Sequence, residues 1–119
     1  VYQPHQHSRT VAFKRAFAVA LSRASRLYLA PIYAARDPEH VKATIASEDL
    51  AREAQLLGGA GTEARAWGTA RDACQAAVDE ARRGDVILVV GAGDIGEEVS
   101  WMRQGLGADA TVKVRDVDA

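Results

Sequence analysis

The sequence DVILVVGAGDIG at residues 85–96 joins a run of apolar residues to a glycine-rich turn. A short apolar run that ends in glycine is typical of a strand buried inside a parallel sheet. We therefore expect a buried strand over 85–90, a turn over 91–96 and a helix over about 97–104. This order of strand, turn and helix favours an α/β fold.

Segments of the same two kinds fill the rest of the chain. The patterns predict further strands at 1–3, 27–33, 63–67 and 111–115, and further helices at 8–22, 47–57 and 70–83. Residues 34–45 are predicted as a loop, in which Pro38 prevents regular structure. The alternation predicts a Rossmann-like open, mostly parallel sheet with helices on both faces, and residues 1–119 form a single domain.

Three features of the helices can be predicted in more detail. The helix at 8–22 should bury Phe13, Ala16, Phe17, Ala20 and Leu21, which follow helical spacing. Ser47 is the expected N-cap of the next helix. The helix at 70–83 should begin with Thr69 as its cap and pack a stripe of small residues, including Cys74, against the sheet.

Composition limits the classes of function. The chain has 119 residues, a net charge of -1 and one cysteine. Without a basic excess or a long apolar run, we expect neither a nucleic-acid partner nor a membrane span. Cys74 is interpreted as a buried, inert thiol, and a lone cysteine fits a reducing, cytoplasmic compartment. Because the sequence begins with Val1, inside an apparent strand, we expect a piece of a longer protein.

Several catalytic motifs are absent from the sequence. It lacks G-x-x-x-x-G-K-[ST], G-x-S-x-G, H-E-x-x-H and paired cysteines, so no catalytic residue is assigned. His5 and His7 would face the same way on an extended segment and could then bind a metal. The remaining histidine, His40, lies in the distant loop, so no metal site is predicted.

The segment QPHQHSRT at residues 3–10 carries the main candidates for binding. Polar groups between a strand end and a helix lie where open α/β sheets bind ligands. Arg9 falls in the first helical turn, where the helix dipole disfavours a cation, and a carboxylate ligand would satisfy both Arg9 and the free N–H groups. A solvated arginine is the alternative. Arg36 follows the second strand and could reach the same cleft, or pair with Asp37 or Glu39.

Gly91, Gly93 and Gly96 match the G-x-G-x-x-G pattern of dinucleotide-binding turns. That pattern usually follows the first strand of its domain, whereas here it follows the fourth. Three alternatives stay open: a nucleotide-binding turn, a plain tight turn, and a turn that lines an active-site cleft. In the last case the cleft is lined by Gly91, Gly93, Asp94 and Arg36.

Taken together, these segments resemble the C-terminal domain of the Mur ligases. The opening matches the pattern Q-P-H-x-[YH]-[ST]-R-T, and IYAAR at 32–36 and DVILVVGAGDIG at 85–96 agree in order and spacing. The resemblance covers about residues 1–105. Many members have arginine where this chain has Gln6. The family's D-D-Y-[AG]-H-H-P segment and its P-loop would lie before Val1.

The resemblance implies a three-domain parent enzyme that needs ATP and Mg²⁺. Within the family, the nearest members join L-alanine to UDP-N-acetylmuramate through an acyl phosphate, in peptidoglycan precursor synthesis. Matched positions make Arg9, His5 and Gln6 the substrate-binding residues, with Arg9 on the amino-acid carboxylate. The piece alone should bind no cofactor and have no ligase activity. An exposed sheet edge could promote self-association. The alternative function is a stand-alone Rossmann-like nucleotide-binding module that uses Gly91–Gly96.

Overall fold

Five parallel strands form one open sheet in the order β3-β2-β1-β4-β5. The structure is a computed structural model, which describes residues 1–107 and the backbone of 112–115. The strands are β1 (Tyr2–Gln3), β2 (Arg26–Leu29), β3 (Glu63–Ala66), β4 (Ile87–Gly91) and β5 (Val112–Arg115). The helices are α1 (His7–Leu21), α2 (Glu39–Lys42), α3 (Ser47–Gly58), α4 (Ala70–Glu80) and α5 (Val99–Leu106). Thr111, predicted to begin the last strand, lies outside the described residues.

Helices cover both faces of the sheet, as predicted. On one face, α1 and α3 pack against Leu27 and Leu29 of β2 around the buried Leu50. On the other face, α4 and α5 pack against Tyr28 and Val89. The α/β class and the parallel, Rossmann-like sheet are therefore confirmed. No helix in the described part of the chain is long and apolar enough to cross a bilayer.

Helix α4 begins where the sequence predicts, at Ala70, but it ends at Glu80 and not at Arg83, because Ala81 is extended. The Thr69 side chain accepts a hydrogen bond from the Asp72 N–H at 3.0 Å, so it caps the helix start. Ala73, Cys74 and Ala77 are buried against the sheet. Burial raises the pKa of the Cys74 thiol to about 11, so the thiol is protonated and inert at neutral pH.

The buried face predicted for α1 is correct only in part: Phe17 and Leu21 pack against the core, but Ala16 and Ala20 are exposed. Phe13 is 54% exposed, whereas Thr10 and Ala18 are fully buried. The helix is kinked at Phe13, whose φ of -116° and ψ of 16° are non-helical. Apolar residues lie on almost every side of this alanine-rich helix, so spacing alone does not select the side that packs.

Two details between β2 and α3 also differ from the prediction. Pro38 does not prevent structure in the loop, because it directly precedes the one-turn helix α2 and has a φ of -64° that suits a helix start. Ser47 is not an N-cap: its buried hydroxyl donates to the Ala30 carbonyl at 2.6 Å. The N-cap residue is Ala46, whose N–H donates to the Asp49 carboxylate at 2.9 Å.

Strand β4 is covered on one face more fully than on the other. Val89 is fully buried, but Val86 and Leu88 are 67% and 51% exposed. The core between the sheet and α1 and α3 draws its sheet residues from β1, β2 and β3. The apolar run at 85–90 therefore predicts a strand correctly but wrongly predicts burial on both sides.

We expect the substitution Gly58→Ala to destabilise the fold, although alanine normally favours a helix over glycine. An added Cβ would lie 2.2 Å from Thr62 Oγ1, which is anchored to the carbonyls of Ser22 and Ala24. The resulting overpacking should lower the free energy of unfolding by roughly 1–3 kcal/mol, measured by urea denaturation. Gly61→Ala is the control, because open space surrounds that position. Equal effects of the two substitutions would contradict the packing described here.

Candidate functional site

The carboxyl ends of β1 and β4 lie side by side, at the point where the strand order reverses. From β1 the chain continues outward through β2 to β3, whereas β4 leads to β5 on the opposite side. In open α/β sheets, ligands bind in the crevice at such a switch point. The segment 4–9 follows β1 and the turn 92–96 follows β4. The two candidate binding segments of the sequence therefore meet at this switch point.

Gln3 connects these two segments. Its side chain is 4% exposed, and its Nε2 donates to Asp94 Oδ1 at 2.7 Å. Its Oε1 accepts a hydrogen bond from the Ile95 N–H at 3.1 Å. One buried amide therefore fixes the turn after β4 to the end of β1.

The glycines of this turn allow close internal packing. A Cβ on Gly93 would lie 2.6 Å from Gln3 Oε1 and 2.7 Å from the Tyr33 ring. A Cβ on Gly91 would lie 2.6 Å from Ile95 Cγ2, whereas Gly96 faces open space. The Tyr33 ring thus covers the side of Gly93 that a pyrophosphate would need to approach. The next residues, 94–98, form a 3-10 turn and not the start of an α-helix. These observations disfavour the nucleotide-binding interpretation.

The loop after β2 is joined to the loop after β1. The Tyr33 N–H donates to the Pro4 carbonyl at 2.8 Å, and the Gln6 N–H donates to the Tyr33 carbonyl at 2.7 Å. The His5 and Tyr33 rings stack with their centroids 5.7 Å apart. His5 is therefore stacked on the same ring that packs against Gly93.

Gln6 has a backbone conformation that L-residues rarely adopt, with φ 66° and ψ 133°. Its carbonyl accepts hydrogen bonds from the Thr10 N–H at 3.1 Å and the Thr10 hydroxyl at 2.8 Å, which hold the residue in place. Such conformations cost about 1–3 kcal/mol and are concentrated at functional sites. The strain therefore falls on a residue that was predicted to bind substrate.

Asp37 has a role at the start of α1 that the sequence did not predict. Its buried carboxylate accepts hydrogen bonds from the His7 N–H, the Ser8 hydroxyl at 2.9 Å and the His7 ring at 3.2 Å. Burial on its own raises the pKa of the Asp37 carboxyl, but these hydrogen bonds leave it below its ordinary value. One feature could have indicated a capping residue such as Asp37: α1 has no acidic residue in its first turn and no side-chain cap of its own. The carboxylate expected at this helix start was that of a ligand, whereas the carboxylate found there belongs to Asp37 of the chain itself. The N–H groups of the helix start therefore no longer argue for a ligand, and the expectation for Arg9 stays a prediction.

The two arginines of the prediction are both exposed. Arg9 lies in the first turn of α1, next to the end capped by Asp37. Arg36 immediately precedes Asp37 in the loop. Asp37 and Glu39, the two suggested partners of Arg36, make other contacts. Asp37 binds the start of α1, and Glu39 pairs with Lys42 at 2.6 Å.

The histidines do not form a metal site. His7 begins α1 and contacts Asp37, whereas His5 stacks on Tyr33, so the two do not lie on one extended segment. Within residues 1–107, no group of three histidine, cysteine, aspartate or glutamate side chains could hold a metal ion.

We expect Asp37→Asn to lower the melting temperature by several degrees at pH 7, because it removes the charge that binds the start of α1.

Since the pKa of Asp37 is lowered in the folded state, its stabilising contribution is present above the ordinary carboxyl pKa. That contribution is lost as the pH falls through the lower, folded value. The difference from the unsubstituted chain should therefore shrink as the pH falls below the ordinary carboxyl pKa, and it should vanish once Asp37 is protonated in the folded state. Asp79→Asn, on the exposed face of α4, is the control. A difference that persists at low pH would contradict this role.

Known proteins match this chain over most of its length. It is 37% identical over 109 residues to a UDP-N-acetylmuramate–L-alanine ligase of Synechococcus sp. RCC307, covering 92% of this chain and 21% of the relative. The corresponding ligase of Legionella pneumophila strain Lens is 38% identical over 98 residues, 82% of this chain and 19% of the relative. The chain is homologous to one segment of these ligases.

A third relative agrees with the first two. The Thermobifida fusca ligase of the same name is 37% identical over 100 residues, covering 82% of this chain and 19% of the relative. The chain thus spans about a fifth of the length of the curated relatives that it matches. No family model and no solved structure matches it. The predicted resemblance to the Mur ligases is confirmed by these homologues.

Proposed function

We propose that this chain is the C-terminal, amino-acid-binding domain of a UDP-N-acetylmuramate–L-alanine ligase. The observation that carries the proposal is that relatives of this name match 80–92% of the chain at about 37% identity. The placement of segment 3–10 at the switch point of the sheet supports it. Residues 1–119 are then one domain of a longer enzyme, with the UDP-sugar and ATP-binding domains elsewhere in the parent.

In the proposed parent, ATP phosphorylates the carboxylate of UDP-N-acetylmuramate, and the amino group of L-alanine attacks the acyl phosphate. The product is an amide used for peptidoglycan precursors, and we place the reaction in the cytoplasm. This sequence has no P-loop, and its described residues hold no group of three potential metal ligands. The residues therefore do not fit ATP or Mg²⁺, and we assign no step of phosphoryl transfer to them. The chain alone should show no turnover.

Arg9 is the proposed partner of the L-alanine carboxylate, since a guanidinium donates two parallel hydrogen bonds to such a group. The Asp37 cap fixes the helix turn that carries Arg9. His5 and Gln6 complete the amino-acid side of the site. Gly91, Gly93, Asp94 and Arg36 stay the proposed cleft-lining residues, and the hydrogen bond from Gln3 to Asp94, which ties the turn to β1, supports the proposal.

The experiment that tests this proposal is an NMR titration of the isotope-labelled chain. L-alanine should shift the backbone amide signals of Gln6, Ser8 and Arg9, with a weak affinity of about 1 mM or poorer. L-alaninamide is the matched control ligand, because it lacks the carboxylate, and it should leave those signals in place. If NAD or ATP instead shifts Gly91 to Gly96 and L-alanine shifts nothing, the stand-alone nucleotide-binding module replaces the ligase domain.

A further inference from the structure

Strand β3 lies at one end of the strand order and has only β2 beside it. An outer strand carries N–H and C=O groups that face away from the sheet and can pair with another strand. Folded proteins close such edges with charged side chains, proline, bulges or a covering element. In this chain a side chain of α3 covers part of the β3 edge.

The hydrogen bonds of β3 show which of its residues face outward. The Glu63 N–H donates to the Ser25 carbonyl at 2.9 Å, so Glu63 turns its backbone groups toward β2. Successive residues of a parallel strand turn their backbone groups in alternating directions. Counted from Glu63, Ala64 and Ala66 therefore face outward.

Gln55 of α3 binds the outward N–H of Ala64. The Gln55 Oε1 accepts a hydrogen bond from that N–H at 2.8 Å, and the Gln55 Nε2 donates to the Gly59 carbonyl at 3.3 Å. The contact with Gly59 orients the side-chain amide, because the reverse orientation would turn its NH₂ group toward the Ala64 N–H. The Gln55 Oε1 thus takes the place that a carbonyl of a neighbouring strand would occupy.

Charged side chains on β3 contribute less to closing the edge. Arg65 pairs with Glu63 at 3.6 Å and with Glu80 of α4 at 2.6 Å, and its guanidinium lies 5.4 Å from the centre of the Trp67 ring. These contacts lie on the α4 face of the sheet and join side chains. They leave the outward backbone groups of the strand accessible, so the contact made by Gln55 is the one that blocks pairing.

A second copy of this chain is the partner that an open β3 edge would fit. The outward positions Ala64 and Ala66 are two residues apart, which is the spacing of hydrogen-bonded pairs in an antiparallel ladder. Two copies related by a two-fold axis would present the same spacing to each other. The charge of Arg65 is balanced by Glu63 and Glu80, which lowers the repulsion between two such strands.

We propose that the Gln55 side chain closes the β3 edge and so prevents two copies of this chain from pairing through β3. The self-association suggested by the sequence should therefore appear at β3 only when the Gln55 contact is lost. The inference does not depend on the ligase proposal, because it rests on the backbone pairing of β3 and on the contacts of one side chain.

The test compares two substitutions of Gln55. Gln55→Leu keeps the size of the side chain but removes the acceptor, whereas Gln55→Glu keeps an acceptor for the Ala64 N–H and is the matched control. Sedimentation equilibrium should give a dimer dissociation constant at least about tenfold lower for Gln55→Leu than for Gln55→Glu. Adding Ala66→Pro to Gln55→Leu should reverse this change, because proline removes an outward N–H from the strand.

Amide hydrogen exchange gives an independent readout at a concentration where all forms are monomeric. The Ala64 amide should exchange at least about tenfold faster in Gln55→Leu than in Gln55→Glu. Exchange at Ala64 of the unsubstituted chain as fast as in an unfolded peptide would overturn the proposal, whether or not the variants fold. Equal dissociation constants for Gln55→Leu and Gln55→Glu would also overturn it, as would a Gln55→Leu dimer that Ala66→Pro leaves intact.

Discussion

The substitution Gly93→Val is expected to lower the free energy of unfolding by about 3 kcal/mol or more. A Cβ at this position would lie 2.6 Å from Gln3 Oε1 and 2.7 Å from the Tyr33 ring. Relief of that contact would move the Gln3 amide from Asp94 and Ile95, leaving buried polar groups unpaired. The melting temperature and a urea unfolding curve measure the loss.

Gly96→Ala is the control for this substitution. Gly96 belongs to the same turn, but nothing lies within 4 Å of an added Cβ there. Its free energy of unfolding should change by less than about 0.5 kcal/mol. If Gly93→Val and Gly96→Ala were equally mild, Gly93 would not be required for close packing, and a nucleotide could reach the turn.

The second large effect is expected for Arg9→Ala in the proposed full-length ligase. Loss of a charge-assisted contact to the L-alanine carboxylate should lower kcat/KM for L-alanine by roughly 10- to 150-fold. Steady-state kinetics at varied L-alanine concentrations, with UDP-N-acetylmuramate and ATP saturating, measure the effect.

Two further variants make the Arg9 result specific. Arg23→Ala removes an exposed arginine just beyond α1 and should leave kcat/KM unchanged. Arg9→Lys should recover only part of the loss, since lysine keeps the charge but not the bidentate geometry. Arg9→Ala kinetics equal to those of the unsubstituted enzyme would show that another group binds the carboxylate.

The sequence predicts the sheet and α4 well, because each depends on local information. The apolar run before Gly91 and the Thr69 cap are visible in a few neighbouring residues. The side of α1 that packs against the sheet cannot be predicted from neighbouring residues, because apolar side chains lie on almost every side of the helix and the helix is kinked at Phe13. The exposure of Leu88 could not be predicted from its neighbours either, because it depends on which strands α1 and α3 cover.

In the candidate site, too, features that depend on neighbouring residues were predicted and features that depend on distant residues were not. Segment 3–10 and the turn after β4 were both singled out from sequence, and parallel strand order brings them together at one edge. The roles of Gln3 and Asp37 were not predicted. Each acts through hydrogen bonds to residues about 30 or 90 positions away, which no local pattern encodes. The glycine pattern was ambiguous because Tyr33, the residue that covers Gly93, comes from another strand end.

The central claim is that this chain is the amino-acid-binding domain of a longer ligase. The most direct test is the sequence of the parent gene over about 350 codons upstream of Val1, a length that holds two further domains. The account predicts a G-x-x-x-x-G-K-[ST] motif followed by D-D-Y-[AG]-H-H-P before Val1. A start codon directly before Val1 would contradict it and make a free-standing domain the leading interpretation.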